Sequence, residues 1–600
     1  MISVYDKIYL NGGIYMKKWN LDALYVSFES KEFQDSLVLI EKLTEESILY
    51  AKKEFNDTSD ARNKIKTFIV KSEELRSLLI KSFVFCSLSL ATDATNEEAK
   101  KYFNKMQQLS AKITLASTKF SKWIPTIGNL DELIENDELL SDVKYYINRI
   151  IEGSKYLLSD SEEILISKLT QTGSSAWGQL QSELTATLKV DYEGKEITLS
   201  EVRNLSSDKD PKVRKAAYEA ELAAYPKIAQ SVAYALNGVK GEVNTLCELR
   251  GFESALDQAI YQSRMNKSTL DALIESMKEY LPHFHKYLRR KAELLGHKNG
   301  LPYYDIFAPM GESSKEFTID EAMEYIFENF RTFSPGLEAL ARRAKDEEWI
   351  DYTSRPGKRG GAFCSNIHPI KQSRILTNFS GSFSGVITLS HELGHAYHGD
   401  QIFNERVVNS SYTMPVAETA STFCETIVKN AALKDAENDE KITILEQSLK
   451  GSTQVVVDIL SRFIFENEVF DKRKTTPLNP RMLNEMMISS QKEAYGDSLD
   501  PNYLMPYAWL NKSHYYRGGL SFYNFPYAFG LLFAKGIYAE FVKQGEPFVD
   551  KVNLLLRKTG QMSVEDVASL VGLDVSSREF WNSSLEVIVK EIDLFLELTK

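Results

Sequence analysis

The chain has 600 residues, 43% of them apolar and 26% charged, with a formal net charge of −12 at pH 7. That length is more than one hydrophobic core serves, and the composition is that of a globular protein, so several packed units are expected. The acidic balance excludes a general nucleic-acid binder, and no uninterrupted apolar run is long enough to span a bilayer, so neither a nucleic acid nor a membrane is expected as a partner.

The opening residues lack a basic start, an apolar stretch and a small-residue cleavage site, so they do not form a secretory signal. Residues 1–15 differ in character from the rest of the chain. Met16-Lys17-Lys18-Trp19 makes a more ordinary N-terminus, and translation is expected to begin at Met16. Apolar residues at helical spacing then run from Ser30 to Phe55, and the pattern repeats through 60–90, 95–122, 133–170, 212–250 and 267–296. A soft boundary at 191–208 separates an N-terminal helical lobe, 1–205, from the remainder, 206–600. The character changes between about 300 and 385. Ser354-Arg355-Pro356-Gly357-Lys358-Arg359-Gly360-Gly361 is a turn-rich loop, and strand-like runs come after it at 362–367 and 374–379. Helix resumes near Ser384 and continues to the C-terminus, with breaks near 400–413 and 472–480. The fold class expected is therefore mainly α with one small sheet. The four cysteines, Cys86, Cys247, Cys364 and Cys424, are scattered with no CxxC pair. They offer neither a disulfide framework nor a cysteine zinc site, and a reducing cytoplasm is the expected location.

The helix after the sheet carries His391-Glu392-Leu393-Gly394-His395. Histidines at i and i+4 lie on one helix face and can bind one metal ion, with the intervening glutamate placed to act on water. Ser382 or Ser384 can cap this helix, and Val386, Leu389 and Leu393 supply its apolar stripe. Gly394 costs about 1 kcal/mol of helix propensity against alanine, which makes sense if another segment packs closely there. Zinc needs a third protein ligand. His398 is one turn too far along and is expected to pack or to support the site from behind; position 401 is Gln401. The other route is Glu418, 27 residues after His391, in a helix opened by Pro415. Glu418, Ser421 and Glu425 share a face of that helix, so Glu418 can ligate and Glu425 can orient a ligand histidine. A downstream cluster holds His514, Tyr523 and Tyr527. From spacing alone it reads as an aromatic core patch.

His391-Glu392-Leu393-Gly394-His395-Ala396-Tyr397-His398, followed by Ala417-Glu418-Thr419-Ala420-Ser421, resembles the oligoendopeptidase F group, relatives of thimet oligopeptidase. The likeness runs through most of the chain: Trp19 to Tyr25, Arg214 to Arg250, Gly357 to Phe363, and Asn378-Phe379-Ser380. It implies a two-lobed, multi-helical zinc metallopeptidase enclosing a deep channel, with 206–600 as its catalytic region. It implies one zinc ion per chain on His391, His395 and Glu418, Glu392 as general base and Glu425 in support. The same resemblance turns His514, Tyr523 and Tyr527 into oxyanion-stabilising residues. Gly360, Gly361 and Ala362 in the glycine-containing loop are expected to meet substrate. The thimet branch carries a further tyrosine where this chain has Gly530. The expected activity is hydrolysis of internal bonds in short unstructured peptides, with the 374–379 strand pairing along the substrate. A zinc exopeptidase, of carboxypeptidase or dipeptidyl carboxypeptidase type, is the first alternative. A non-catalytic helical scaffold is the second, and the retained Glu392 argues against it.

Overall fold

The computed structural model describes residues 18–311 and 316–600. The expected start at Met16 lies outside the described residues. The described residues are mostly helical, with two small sheets among them. Three long N-terminal helices, Lys31–Glu54, Ala61–Thr92 and Glu97–Trp123, match the expected ranges closely. Ser30 and Asn96 cap the first and third through their side-chain oxygens, and Glu97 and Glu98 meet the positive end of the third helix dipole. Between them, Phe28, Phe33, Phe85 and Tyr102 pack edge-on and stacked. The Ala61–Thr92 helix is long and apolar enough to cross a membrane, but Arg76 and Lys81 interrupt it, and they bind Ser411 and Glu32 at 2.7 and 2.6 Å.

The soft boundary contains a structure that the sequence pattern does not announce. Strands β1 (Lys189–Tyr192) and β2 (Lys195–Thr198) form a hairpin, and Glu193 and Gly194 both take the positive φ that a two-residue turn demands. One hydrophobic core joins Leu188, Val190 and Val202 to Ala217, Leu236, Trp509 and Tyr516, so it runs through position 205. A larger core, from Val243 to Phe595, holds the apolar face of the HExxH helix.

The second sheet lies beside that helix, as expected. It comprises β3 (Ile350–Asp351), β4 (Phe363–Ile367) and β5 (Gln372–Leu376), in the order β3-β5-β4. This order corrects one expectation. The 374–379 run does not offer an open edge to the substrate: β5 is the central strand, paired with β3 on one side and β4 on the other. Its ladder groups are already used, and the edge strands are β3 and β4. The N-terminal segment docks on this sheet: buried Arg374 donates from Nε to the Asn20 carbonyl at 2.6 Å, and Trp19 packs edge-on against Phe363.

The helical C-terminal half has the two expected breaks and, among the described residues, further ones, the longest at 496–524. Residues 496–524 leave the α-helix, with one 3-10 turn at Ser513–Tyr516, and α-helix returns at Phe525–Gln544. Gly496, Pro501, Pro506, Gly518 and Gly519 explain why no long helix forms there, and the abundance of buried aromatics masks the break in the apolar pattern. This irregular segment carries His514 and Tyr523.

Candidate metal centre and active site

The motif helix spans Phe383–Ile402, with Ser382 capping it by accepting from the Gly385 N–H. Its apolar face, including Val386, Leu389 and Leu393, is buried. The third ligand candidate comes from a different local structure than expected. Instead of one continuous helix from Pro415, a short helix Met414–Ala417 ends at Glu418 and a second, Thr419–Asp435, begins there. The Ser421 hydroxyl donates to a Glu418 carboxylate oxygen at 3.0 Å and fixes its direction.

The two helices cross where Gly394 meets Ala420 and Ser421. A β-carbon on Gly394 would fall 2.6 Å from both the Ala420 carbonyl oxygen and the Ser421 Cα. The missing side chain therefore sets the distance from His391 and His395 to Glu418. A second close approach backs it. On the Phe525–Gln544 helix, a β-carbon at Gly530 would lie 2.8 Å from Glu418 Cβ. The extra tyrosine of the thimet branch has no room here, and Gly530 serves to seat Glu418.

The result is a compact donor set. His391 Nε2 lies 3.1 Å from His395 Nε2 and 3.2 Å from a Glu418 oxygen, and His395 Nε2 lies 3.5 Å from the same oxygen. Four ligands at about 2.05 Å in a tetrahedron sit about 3.3 Å apart. Three donors with those separations fit one ion. The other ring nitrogen of His391 is bound to Glu425 at 2.6 Å, a bond that keeps a proton on Nδ1 and presents the Nε2 lone pair to the cluster once the Nε2 proton has left. Without a metal ion the same contacts set the charges. Burial works against a charged His391, but Glu418 and Glu425 on either side outweigh it and lift the ring to about 10. Burial and the His391 charge bring His395 down to about 4. Burial alone would raise the two carboxyls; Glu418 is held at about 2 by the histidines and Glu425 at about 2 by Lys429 and His391.

Glu392 stands apart from the donor cluster. It is 5% exposed, its Oε2 is buried without a hydrogen-bond partner, and burial lifts its carboxyl to about 7 despite the His391 charge. An acceptor so placed has the character of a general base. Beside it, burial and the Glu392 charge push the Cys364 thiol of β4 upward.

His398 is fully buried, bonds Thr559 at 2.9 Å and stacks on Tyr412 at 4.1 Å. Burial holds it near 3, and its contacts are those of a packing residue, the first of the two roles expected for it. Tyr523 and Tyr527 are joined hydroxyl to hydroxyl, and the His514 ring lies 5.6 Å from that of Tyr523. Burial, Tyr523 and the Glu418 charge all raise the Tyr527 hydroxyl, which stays a neutral donor. Tyr527 lies one turn before Gly530, on the helix face that meets Glu418. His514 Nε2 accepts from the Asn524 amide at 2.8 Å, and burial with neighbouring Arg462 and Lys512 brings the ring down to about 3. The ring is neutral, with Nδ1 as its available donor.

Gly360, Gly361 and Ala362 lead directly into the β4 edge. The loop before them is anchored. Buried Lys358 bonds Asp351 at 2.6 Å, and the Arg359 N–H reaches the Ala91 carbonyl at 2.8 Å. Beyond that anchor, β-carbons at 360 and 361 would meet nothing within 4 Å.

Three supporting residues escape the sequence reading. Lys429 bonds the second Glu425 oxygen at 2.6 Å; its i+4 spacing from Glu425 is a readable signal. Asn366 on β4 donates to the His395 carbonyl at 2.9 Å and ties the edge strand to the metal helix. Asn524 holds His514. Neither asparagine has a local sequence signature, because both act across the fold.

Two imidazoles, a carboxylate from a second helix and a buried unpaired glutamate define a metallohydrolase centre. A family model, Peptidase family M3, matches residues 204–587, and a second, Oligopeptidase F, matches 128–189. The chain belongs to peptidase family M3. It is 23% identical to oligopeptidase PepF of Bacillus subtilis, covering 97% of this chain and 87% of that one. It is 24% identical to group B oligopeptidase PepB of Streptococcus agalactiae, covering 86% and 87%. A solved Chlamydophila abortus chain shares the fold with a TM-score of 0.81, 20% identity, and 98% and 99% coverage. Oligoendopeptidase-F from Enterococcus faecium stands at 0.68, 18%, and 95% and 99%. The activity this membership carries is that of a metalloendopeptidase.

Proposed function

We propose that the protein is a zinc-dependent oligoendopeptidase that hydrolyses internal bonds of short unstructured peptides, in the cytoplasm, where its four free thiols are stable. The observation that carries this reading is the His391–His395–Glu418 triangle with Glu392 beside it. Its edges support zinc as the ion. Zinc held there supplies Lewis acidity toward water and the scissile carbonyl. Glu392 takes the proton of the attacking water and hands it to the leaving amine. Tyr527, with Tyr523 behind it and His514 alongside, donates to the oxyanion as charge develops. The substrate backbone adds along the free edge of β4, from Ala362 onward. A two-lobed channel would exclude folded proteins. Cleavage of internally quenched peptides blocked at both ends tests the endopeptidase assignment. Trimming confined to free termini would move the enzyme to the exopeptidase class.

Two further results are expected. In the metal-free protein His391 carries a proton between two carboxylates, and ligation requires it to leave. Zinc uptake near neutral pH should release about one proton, and affinity should rise about tenfold per pH unit until about pH 10. Calorimetry in buffers of different ionisation enthalpy reads this directly, and uptake without proton release would contradict the charge assignment. Tyr527→Phe should lower kcat about 10²–10³-fold with KM little changed, since the hydroxyl acts on the transition state. An equal change confined to KM would make Tyr527 a substrate-binding residue instead.

A further inference from the structure

A cavity of about 80 Å³, lined by none of the metal-site donors, lies among residues 202–221, 303–307, 458–462, 495 and 505–512. Asp458 in its lining is the last residue of the π-helical turn Gln454–Asp458, a local irregularity often found at functional sites. Most of its charges are matched. Arg203 pairs with Glu221 at 3.3 Å, Arg214 with Asp305 at 2.6 Å, and Arg462 with Asp458. One is left over: the Lys512 ammonium has no hydrogen-bond or ion-pair partner among the described residues. Nearby, Arg462 Nε is buried and also unpartnered. Water can accept from these donors, but it leaves the extra positive charge uncompensated. Burial brings Lys512 down to about 8, with Arg462 acting in the same direction and Asp458 against it.

We propose that Lys512 and Arg462 bind one small monoanion of carboxylate size in this cavity, and that it positions His514 through Asn524. The connection is short. Arg462 Nη1 donates to Asn524 Oδ1 at 3.3 Å, and Asn524 Nδ2 donates to His514 Nε2 at 2.8 Å. Lys512 precedes His514 by two residues. Arg462, Lys512 and Asn524 are positioning residues, since they reach the reaction only through His514. The anion site stands on the cavity itself; its effect on turnover rests on the peptidase reading above. Two sources supply the same chemistry: the C-terminal carboxylate of a bound peptide, or a free ion such as chloride or formate.

The test uses the full chain at constant ionic strength, with formate or chloride replacing bulkier gluconate. The thermal midpoint should rise by about 1–2 °C as the site fills. Lys512→Met should abolish that rise and Lys512→Arg should keep it; Lys512→Gln replaces the methionine variant if that one does not fold. A wild-type midpoint indifferent to both anions, or the same rise without the Lys512 charge, overturns the proposal. In gluconate, a quenched peptide with a free C-terminus should be compared with its amide. An acid preference of about tenfold in kcat/KM that Lys512→Met removes identifies the peptide carboxylate. Equal cleavage of both, with kcat rising as chloride is added and KM unmoved, identifies the free ion. An inactive protein whose midpoint still responds would keep the site and sink the peptidase reading; an active protein with no response would do the reverse.

Discussion

Replacing Glu392 with glutamine is expected to leave the metal bound and to cut kcat by about 10²–10⁴-fold. The side chain is not one of the three clustered donors, so the ligand set is untouched. Its shape is preserved, and its buried Oε2 has no partner to lose. What disappears is a group that can take and return a proton. Burial already disfavours the Glu392 charge, so the amide should cost no stability, and the thermal midpoint should hold or rise. Turnover of a quenched peptide, measured with elemental analysis of the same sample, checks both halves. Near-normal turnover with bound metal would take the base role away from Glu392.

Gly394→Ala is expected to set helix propensity against function. Alanine favours the helix by about 1 kcal/mol over glycine, so on local grounds the substitution stabilises. Its methyl group would sit 2.6 Å from two backbone atoms of the segment that carries Glu418. The helices must part, and the 3.2 and 3.5 Å separations from Glu418 to the two imidazoles open. Metal affinity should fall about 10–100-fold, comparable to losing a residue that supports a ligand. Competition with a chromophoric chelator measures it. Unchanged affinity would mean that the crossing has slack and that Gly394 has another role.

These two residues also show how far the sequence can be read. Gly394 is legible as a demand for close packing, because glycine in mid-helix is unfavourable without a reason; the partner in that packing is not, since it lies in a segment 26 residues on. His391, His395 and Glu392 are legible because the helix period places them without help from the rest of the fold. Glu418 is found from its neighbourhood, but its helix break is not, because no glycine or internal proline marks the turn at 418. The sheet beside the motif helix is located correctly, but the central position of its 372–376 strand is not read. Strand order depends on pairing with the two-residue β3, too short to leave an alternating pattern. The segment 496–524 looks helical in hydropathy because its aromatics are buried, though in an irregular backbone. Asn366, Asn524 and the Lys512–Arg462 cavity arise from contacts between distant segments, which periodicity does not reach.

The most direct test of the central claim is a metal analysis of the purified protein paired with mass-spectrometric mapping of cleavage in a library of end-blocked peptides, for wild type and Glu418→Ala. The account predicts one zinc ion per wild-type chain and internal cleavage of short peptides, with both lost in the variant. Full zinc occupancy in Glu418→Ala, or a wild-type protein that cleaves no blocked peptide while holding its metal, would contradict it.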